Sequence, residues 1–571
     1  MNKTSYFIIF LLISVVFTAF TQADDIETIN ENHKIDVINN TDEIDNTEAD
    51  KVAKYFNSFL HIPQRLDLNT GFDFGFENVL WLAAAFRLDY KAGPFTVTGD
   101  ITFINDQKYA PAAVLLPSGN LGGFYFLLNE GGISYNDGPL FISAGRYRNY
   151  DEIDSPYSLY LNSMGISANT IKFRWESDLF IYQTQWIELN SGNAVSSPAW
   201  NEYQRRLQGL QEGKNFFDPS SFEGHDTEGL YNYGFPDRGL NYKVYGFKLN
   251  DHRIGFLDAA IYTGKSFDFE YFFSPIPMYF TQYFKTTTGR PWATQMNNNC
   301  LMGFFWDVKK PDWDAYAQIL IDDFSFYFLR FLYSGFSPNP WKTAWTLGGR
   351  IQTSIGRFGF HHGGALKFTY EPIGTTDSGR YANDSAATAY GYTYYPETRY
   401  YNGSETVNLL IQDNMIGYKH GQNNIAFQVD YQNSFNKFLV TAELEFLLAG
   451  SNSPSNPWQD YDARSYMYND YKGSQLLNDD MLEKKLEFRL NVSRQFGRFL
   501  TYVSMALGGR FNRLELQPPN IDEYSKYENS DGDYGRTVDN EMFIWKATKN
   551  HEFIYRFSIG FRYLLPVLFT K

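Results

Sequence analysis

The sequence predicts an all-β protein, a large transmembrane antiparallel β-barrel with long extracellular loops. From about residue 65 onward, stretches of about ten residues alternate between apolar and polar side chains, as barrel strands do. Of the 571 residues 19% are aromatic, yet mean hydropathy is −0.40 and 20% of the residues are charged. The chain therefore lacks the several apolar runs of about 20 residues that a helical membrane protein needs.

The alternation is clearest in the last stretch, where one face is apolar and aromatic. That face holds Phe553, Tyr555, Phe557, Ile559, Phe561 and Tyr563, and the other holds Glu552, Arg556, Ser558, Gly560 and Arg562. Similar stretches lie at 95–103, 345–351, 366–370, 425–431, 438–448, 486–492 and 503–507. A soluble β-sandwich also alternates, but its strands are shorter and its core would not accept these charges. Aromatic residues at both ends of the apolar faces also match the interfacial girdles of a barrel.

The connections between these stretches alternate in length, which is the third observation. Short connections lie at 91–94, 136–138, 250–251, 356–357, 433–437 and 495–497, and we predict that they are periplasmic. Long connections span roughly 188–240, 264–298, 371–421, 451–483 and 512–540, and we predict that they are extracellular. Counting the alternating stretches gives about 16 to 20 strands of about ten residues each.

The N-terminal region divides into two further segments ahead of the barrel at 65–571. Lys3 and the apolar run that follows it predict a secretory signal peptide over 1–23, with an uncleaved membrane helix as the alternative. Residues 24–64 are predicted to be an acidic, partly disordered periplasmic segment. A short helical pattern at 47–60 fits a linker helix better than a plug or cap.

Charge and cysteine content exclude several classes of protein. The net charge of −16 and the pI near 5.0 argue against a nucleic-acid partner. The single cysteine, Cys300, excludes a disulfide scaffold and a cysteine-based zinc site. Its distance from the signal peptide also excludes a lipid anchor at the mature N-terminus.

Signals for catalysis are weak, and we predict no enzymatic activity, no cofactor and no metal. The usual nucleophile, zinc, phosphate and dinucleotide motifs are missing from the sequence. The pair His361-His362 should face opposite sides of its strand and so cannot easily share a metal. Asp322-Asp323 could be half of a glycosidase carboxylate pair, although an acidic strand end fits better.

Two groups of residues are candidates for function. Charged residues on the polar faces of the strands are predicted to line the lumen. There they either keep the lumen hydrated, create an electric field across a pore, or close the interior through ion pairs. Those residues are Arg87, Asp100, Arg350, Lys367, Asp430, Glu443, Arg489, Arg510, Arg556 and Arg562. The long loops are rich in aromatic, amide and acidic side chains that can stack on sugars and bind hydroxyls, although many barrel loops share this composition. The glycan-binding candidates there are Tyr392, Tyr395, Tyr401, Trp458 and Tyr461.

One region of the sequence contains ordered motifs that are more informative than composition alone. Its motifs, in order, are 138–146, 155–160, 244–249, the basic pair His252-Arg253, 271–277 with Asn297-Asn298-Asn299, and 316–324 ending in the Asp pair. This order resembles the Wzi-like capsule-assembly outer-membrane proteins. The resemblance implies a barrel of about eighteen strands, a lumen constricted by inserted segments and a lectin-like role at the cell surface. The helical pattern at 200–207 could supply such a segment.

The sequence departs from the expected pattern at its C-terminal end. It runs Leu564 to Lys571 without the terminal aromatic residue of many outer-membrane barrels, so Tyr563 could close the last strand. The acidic composition also prevents any ligand from being carried over from the family.

These observations give three hypotheses. The first is a bacterial outer-membrane surface protein that binds or organises extracellular or capsular polysaccharide. The second is a general diffusion porin for small hydrophilic solutes, and the third is a glycan hydrolase. The expected partners are outer-membrane lipid, surface polysaccharide and the machinery that assembles outer-membrane barrels.

Overall fold

The structure is a computed structural model and describes fifteen stretches of the chain. They are residues 64–77, 79–106, 118–121, 124–162, 166–190, 237–263, 265–286, 298–323, 341–370, 391–394, 399–402, 405–408, 411–452, 475–517 and 544–569. The predicted signal peptide, the acidic segment up to residue 63 and the helical pattern at 200–207 lie outside these residues.

Eighteen strands form the barrel wall, and they alternate in direction along the chain. They are β1 (Gln64–Glu77), β2 (Val79–Ala92), β3 (Phe95–Ile104), β5 (Phe124–Asp137), β6 (Leu140–Tyr147), β7 (Ala168–Glu176), β8 (Phe180–Asn190), β9 (Arg238–Leu249), β10 (His252–Thr263), β11 (Asn298–Lys309), β12 (Trp313–Asp323), β13 (Lys342–Thr353), β14 (Gly356–Ala365), β17 (Asn424–Phe435), β18 (Phe438–Ala449), β19 (Glu483–Phe496), β20 (Phe499–Phe511) and β23 (Glu552–Phe569).

The smaller elements lie between these strands. They are β4 (Ser118–Leu121), which pairs with β5, the hairpins of β15 (Arg399–Asn402) with β16 (Glu405–Asn408) and of β21 (Leu514–Gln517) with β22 (Ile544–Ala547), and the helices α1 (Phe269–Phe273), α2 (Met278–Thr286) and α3 (Ile411–Asn414). No helix in the described part of the chain is long and apolar enough to cross a membrane.

Each wall strand pairs antiparallel with its neighbours, and the sheet closes where β1 pairs with β23. At this seam Gln64 lies opposite Phe569, and Phe76 lies opposite Phe557. The prediction of a closed antiparallel barrel is therefore confirmed, with eighteen strands. Closure removes the unpaired sheet edges that cannot persist in a bilayer.

The alternation in sequence places an apolar surface on the outside of the wall. On β1, Phe72, Phe74 and Phe76 are 40–47% exposed, while Asp73 between them points inward to Arg562. Aromatic rings on neighbouring strands contact one another near the short turns, as Phe499 does with Tyr563. Such rings are the interfacial girdle expected of an outer-membrane barrel.

Short turns join the strands at one end of the barrel, which we call the short-turn end. Gly93, Gly138 and Gly497 adopt φ values of 58°, 55° and 60° there, a conformation that costs glycine little. Asn250 and Asn436 take the same region in two other turns. The opposite end, where the long connections lie, we call the long-loop end.

One predicted strand is wrong. The stretch 366–370 alternates in sequence, but β14 ends at Ala365 and the following residues form turns. Phe368 and Tyr370 are both buried, and the backbone N–H of Leu366 donates to the carbonyl of Thr343. Alternation alone cannot distinguish a strand from turns whose alternate side chains are buried against the lumen.

Candidate functional site in the barrel lumen

The first part of the connection between β6 and β7 enters the barrel lumen. We call residues 148–162 the lumen loop. Tyr157, Leu159 and Tyr160 in this loop have no exposed surface. They belong to one apolar cluster with inward side chains of the wall, including Leu257 and Leu301. The loop therefore fills part of the lumen.

The tip of the lumen loop is held by arginines near the short-turn end. Glu152 accepts from Arg174 on β7 and from Arg253 on β10, each at 2.7 Å, and its side chain is 3% exposed. Arg253 also pairs with Asp307 on β11. One carboxylate thus joins two separated regions of the wall through the loop, in nearly dry surroundings where an unpaired charge would be costly.

The neighbouring Asp151 organises the loop itself. Its Oδ2 accepts from the backbone N–H groups of Leu159 at 3.1 Å and Tyr160 at 2.9 Å. Its Oδ1 accepts from the hydroxyl of Tyr242 at 2.9 Å, and both oxygens lie 3.1 Å from the Gln318 amide. Complete burial raises the pKa of Asp151, and these hydrogen bonds oppose that shift.

Segments from the long-loop end lie on the lumen loop. We call residues 366–370, 391–394 and 411–423 the cap segments. The hydroxyl of Tyr370 donates to the carbonyl of Leu159, and that of Tyr392 donates to the carbonyl of Tyr160, both at 2.9 Å. The buried guanidinium of Arg238 donates to three carbonyls between 391 and 394. These bonds tie the cap segments to the loop and to β9.

The densest charge cluster surrounds Glu445 on β18. Its carboxylate accepts from Lys419 at 2.6 Å and His420 at 3.1 Å, which belong to a cap segment, and from Arg489 at 3.0 Å. The hydroxyl of Tyr157 in the lumen loop donates to it at 3.2 Å. Glu445 therefore joins the loop, a cap segment and the wall at one point.

Burial affects the two cap-segment bases beside Glu445. It lowers the pKa of His420 to about 4, although the nearby carboxylate opposes the shift. Burial also lowers the pKa of Lys419, again against the attraction of Glu445. At neutral pH His420 is therefore uncharged and Glu445 is compensated by lysine and arginine.

A second polar chain crosses from the wall to the loop. The hydroxyl of Tyr316 lies 2.7 Å from Nδ1 of His361, and Nε2 of His361 lies 3.1 Å from Asp430. The same hydroxyl oxygen accepts from the hydroxyl of Ser155 in the lumen loop at 2.9 Å. His362 faces the other side of the sheet, where Trp345 donates to it at 3.0 Å, so the histidine pair shares no site.

The inward faces of β20, β23, β1, β2, β3 and β5 differ from the rest of the lumen, and we call this part the open sector. Arg562 and Asp73 form a two-bond pair at 2.8 and 2.9 Å. Arg87 lies 2.8 Å from Glu130 and 2.9 Å from Asp89. These groups keep part of their surface exposed, 39% for Arg87 and 25% for Arg562. We call the inward faces of β7–β14, β17 and β18, together with the segments lying on them, the packed sector.

The predicted lumen residues fall in both sectors. Arg87, Asp100, Arg510, Arg556 and Arg562 lie on inward faces of the open sector. Arg350, Asp430 and Glu443 lie in the packed sector, and Arg489 lies on β19, between the two sectors. Arg350 contacts Asp154 of the lumen loop at 3.0 Å. Lys367 was predicted to line the lumen from a strand, and that prediction is wrong. The residue follows β14 in a cap segment and pairs with Asp479 at 3.5 Å.

The glycan-binding candidates have different outcomes. Tyr392 was expected in an exposed loop, and that expectation is wrong, because the residue is fully buried against the lumen loop. Tyr401 lies on β15, whose backbone alone is described. Tyr395, Trp458 and Tyr461 lie outside the described residues.

The side chain of Asp322 has a structural role. Its carboxylate accepts from the backbone N–H of Tyr370 and from the amide of Asn299, both at 2.9 Å. It therefore anchors a cap segment to β12. Within the described residues, no group of three or more His, Cys, Asp or Glu side chains is arranged to hold a metal ion.

Several key residues of the site had no signal in the sequence. Asp151, Glu152, Lys419 and His420 lie in connections whose polar composition matches that of ordinary loops. Arg238 lies within the predicted long connection at 188–240 and so could not be assigned to a strand facing the interior. Only the charges on alternating strands, such as Glu445 and Arg489, could be placed in the lumen in advance.

Comparisons with known proteins give structural neighbours only. No family model matches the chain, and no curated protein matches it. The outer-membrane protein Wzi of Escherichia coli, described as involved in group 1 capsule assembly and as a carbohydrate-binding β-barrel, is 12% identical, with a TM-score of 0.42 over 90% of this chain and 86% of that one. OprD of Pseudomonas aeruginosa is 8% identical, with a TM-score of 0.35 over 88% of this chain and 93% of that one.

A third neighbour is the outer-membrane protein OmpT of Vibrio cholerae. It is 10% identical, with a TM-score of 0.29 over 88% of this chain and 99% of that one. At such identities the likeness concerns the fold. Because all three TM-scores are below 0.5, the resemblance drawn from the sequence stays a prediction.

Proposed function

We propose that this protein is a bacterial outer-membrane surface protein that binds or organises extracellular polysaccharide. The observation that carries the proposal is the lumen loop, which is clamped across the packed sector by Glu152, Asp151 and the Glu445 cluster. A lumen occupied in this way is unsuited to wide solute diffusion. The barrel then serves as a rigid base for its long loops.

The composition of those loops supports polysaccharide as the ligand. Tyr395, Tyr400 and Tyr401 follow the buried cap segment at 391–394, and 458–462 reads Trp-Gln-Asp-Tyr-Asp. Aromatic faces stack on the C–H surfaces of sugars, while amides and carboxylates bind hydroxyl groups. The proposal includes no catalytic step, since the carboxylate of Asp322 is engaged in holding the cap segment.

The test is glycan retention by cells and by the purified protein. Trimming 395–409 or 455–472 spares every described cap segment, removes the aromatic residues argued to bind sugar and should reduce bound surface polysaccharide at least fivefold. Arg562→Gln, which lies inside the barrel, is the matched control and should retain normal binding. Unchanged retention in both trimmed variants would contradict the proposal.

The second candidate function is a narrow channel for small hydrophilic solutes. The observation that favours it is the open sector, where paired but partly exposed charges face the lumen. Single-channel conductance of the refolded protein in a planar bilayer distinguishes the two functions. Reproducible open steps at moderate salt would establish the channel, whereas silence from a folded barrel would favour the surface-binding function.

A further inference from the structure

The described part of the connection between β10 and β11 lies on the outside of the barrel. We call residues 265–286, which include α1 and α2, the outer strap. The indole N–H of Trp186 on β8 donates to the carbonyl of Ser266 at 2.6 Å, and the hydroxyl of Thr184 donates to the carbonyl of Phe272 at 2.8 Å. Both wall residues point away from the lumen, because the residues that alternate with them, Gln183 and Gln185, point inward to Arg174 and Asn149.

A polar contact holds the strap at the part that lies nearest the short-turn end. Lys243 on β9 lies opposite Asp258 on β10, and neither residue has exposed surface. The ammonium group of Lys243 donates to the carbonyls of Ser274 and Ile276. The carboxylate of Asp258 accepts from the backbone N–H of Met278, at the start of α2, where the helix dipole favours a negative charge.

These two charges lie well inside the lipid-facing band. On the same outward faces, Phe247 and Ile254 lie near the short turns and are 50% and 46% exposed. Lys243 and Asp258 lie four residues farther from the turns, which is about 10 Å along the membrane normal for a tilted strand. The apolar band of such a barrel is about 25 Å tall. Without the strap, both charges would face hydrocarbon.

The surface that the strap presents outward is apolar. Phe269, Phe273, Ile276 and Phe280 are each at least half exposed, whereas Tyr271 and Met278 face the wall and are buried. Glu270 is the one charged residue among the exposed positions from 268 to 280. The outward surface continues the exposed apolar face of the strands below it, where Phe304 is 55% exposed.

We propose that the outer strap is embedded in the bilayer and that its outward aromatic face contacts the acyl chains of the leaflet on the long-loop side. The strap covers the charged residues Lys243 and Asp258 on the wall and presents an apolar surface to the lipid in their place. Continuity with the lipid-facing band identifies acyl chains as its occupant, because the barrel below the strap already contacts them.

Spin-label accessibility tests this directly. In a Cys300→Ala background, a nitroxide is attached at Phe280→Cys and the full-length protein is reconstituted in phosphatidylcholine vesicles. Phe304→Cys is the lipid reference, and Ile355→Cys, in a short turn and 64% exposed, is the water reference. The label at 280 should collide freely with oxygen and rarely with a water-soluble nickel complex, as at 304.

Two results would overturn the proposal. Nickel accessibility equal to that at 355 would place the strap in water. Low accessibility to both reagents would mean that protein covers this face, and in these vesicles that protein would be a second copy of the chain.

The single cysteine provides an independent test. Cys300 lies on the outward face of β11 beneath the strap, in one cluster with Tyr271 and Met278, and is 6% exposed. The double variant Phe273→Ser, Phe280→Ser changes only outward-facing side chains of the strap. Its labelling by a membrane-permeant maleimide should be at least fivefold faster than that of the parent protein, because the strap loses its hydrocarbon contacts. An unchanged rate in a folded barrel would contradict the proposal.

Discussion

Two glutamates on one strand show how different the surroundings of neighbouring inward positions in this lumen can be. Glu443 and Glu445 are separated by one residue on β18 and both point inward, yet their side chains are 39% and 1% exposed. Glu443 lies at the edge of the packed sector and has one described ion pair, with Arg489 at 2.9 Å. Glu445 contacts two bases of a cap segment as well as the wall.

The difference shows that the inserted segments, and not the strand pattern, determine the environment of an inward charge. In the packed sector a carboxylate loses its water and must be compensated by several partners. In the open sector each charge keeps some water, so its pair contributes little free energy, about 0–1 kcal/mol. Removing charges from the two sectors should therefore have unequal effects.

The largest effect is expected from Glu445→Ala. This variant leaves the buried Lys419 without its carboxylate, while Arg489 loses only one of its partners, which should destabilise docking of the cap segments by about 3–5 kcal/mol. Limited proteolysis of the chain between 371 and 410 would report their release. Glu443→Ala is the matched control and should cost less than about 1 kcal/mol. Equal cleavage rates in the two variants would contradict the comparison.

Acidification should loosen the same junction through His420. Its pKa is about 4 when docked and about 6.5 when released, so between these values the released segment binds the extra proton. Docking should therefore weaken as pH falls from 6.5 toward 4, by up to about 3 kcal/mol. His420→Gln should show a flatter pH profile of proteolysis, and an unaltered profile would rule out this histidine as the source.

The tip of the lumen loop should be less sensitive to loss of charge. Glu152→Gln keeps the shape of the side chain but removes the charge that Arg174 and Arg253 share, although Arg174 retains Glu176 and Arg253 retains Asp307. We expect a cost of about 2 kcal/mol in loop docking, measured as faster amide hydrogen exchange at Leu159 and Tyr160. Asp154→Asn, whose side chain is 79% exposed, should leave the exchange rates unchanged.

The smallest effect on stability is expected in the open sector. Arg562→Gln removes the pair with Asp73 but leaves both positions partly hydrated, so the barrel should lose less than about 1 kcal/mol. If a passage runs through this sector, the variant should instead shift ion selectivity toward cations. A loss of stability as large as that of Glu445→Ala would show that the open sector is as tightly packed as the other.

The wall could be predicted from sequence because each strand carries its own signal. Phe557, Ile559 and Phe561 alternate with polar residues regardless of what lies inside the barrel, so fold class and short turns followed from local pattern. The loop in the lumen carries no such signal. Asp151 and Glu152 acquire their roles only from Tyr242, Arg174 and Arg253, which are distant in sequence.

Tyr392 illustrates the same limit from the other side. Its tyrosine-rich surroundings fit a sugar-binding loop, but its hydroxyl bonds to Tyr160, a residue 232 positions away. A local pattern can report that a tyrosine needs a polar partner at its tip, but it does not show whether that partner is a sugar or a backbone carbonyl.

The seam between β1 and β23 has a consequence for how the molecule is made. Every other wall strand pairs with the wall strands next to it in the chain, whereas the seam joins Gln64 to Phe569 across the whole barrel sequence. Closing so long a loop is entropically the most demanding pairing in the protein. Until it forms, two bare strand edges are available to any other extended chain. A factor that holds the first and last strands apart from other partners would therefore protect this barrel at its most vulnerable stage, the one just before closure.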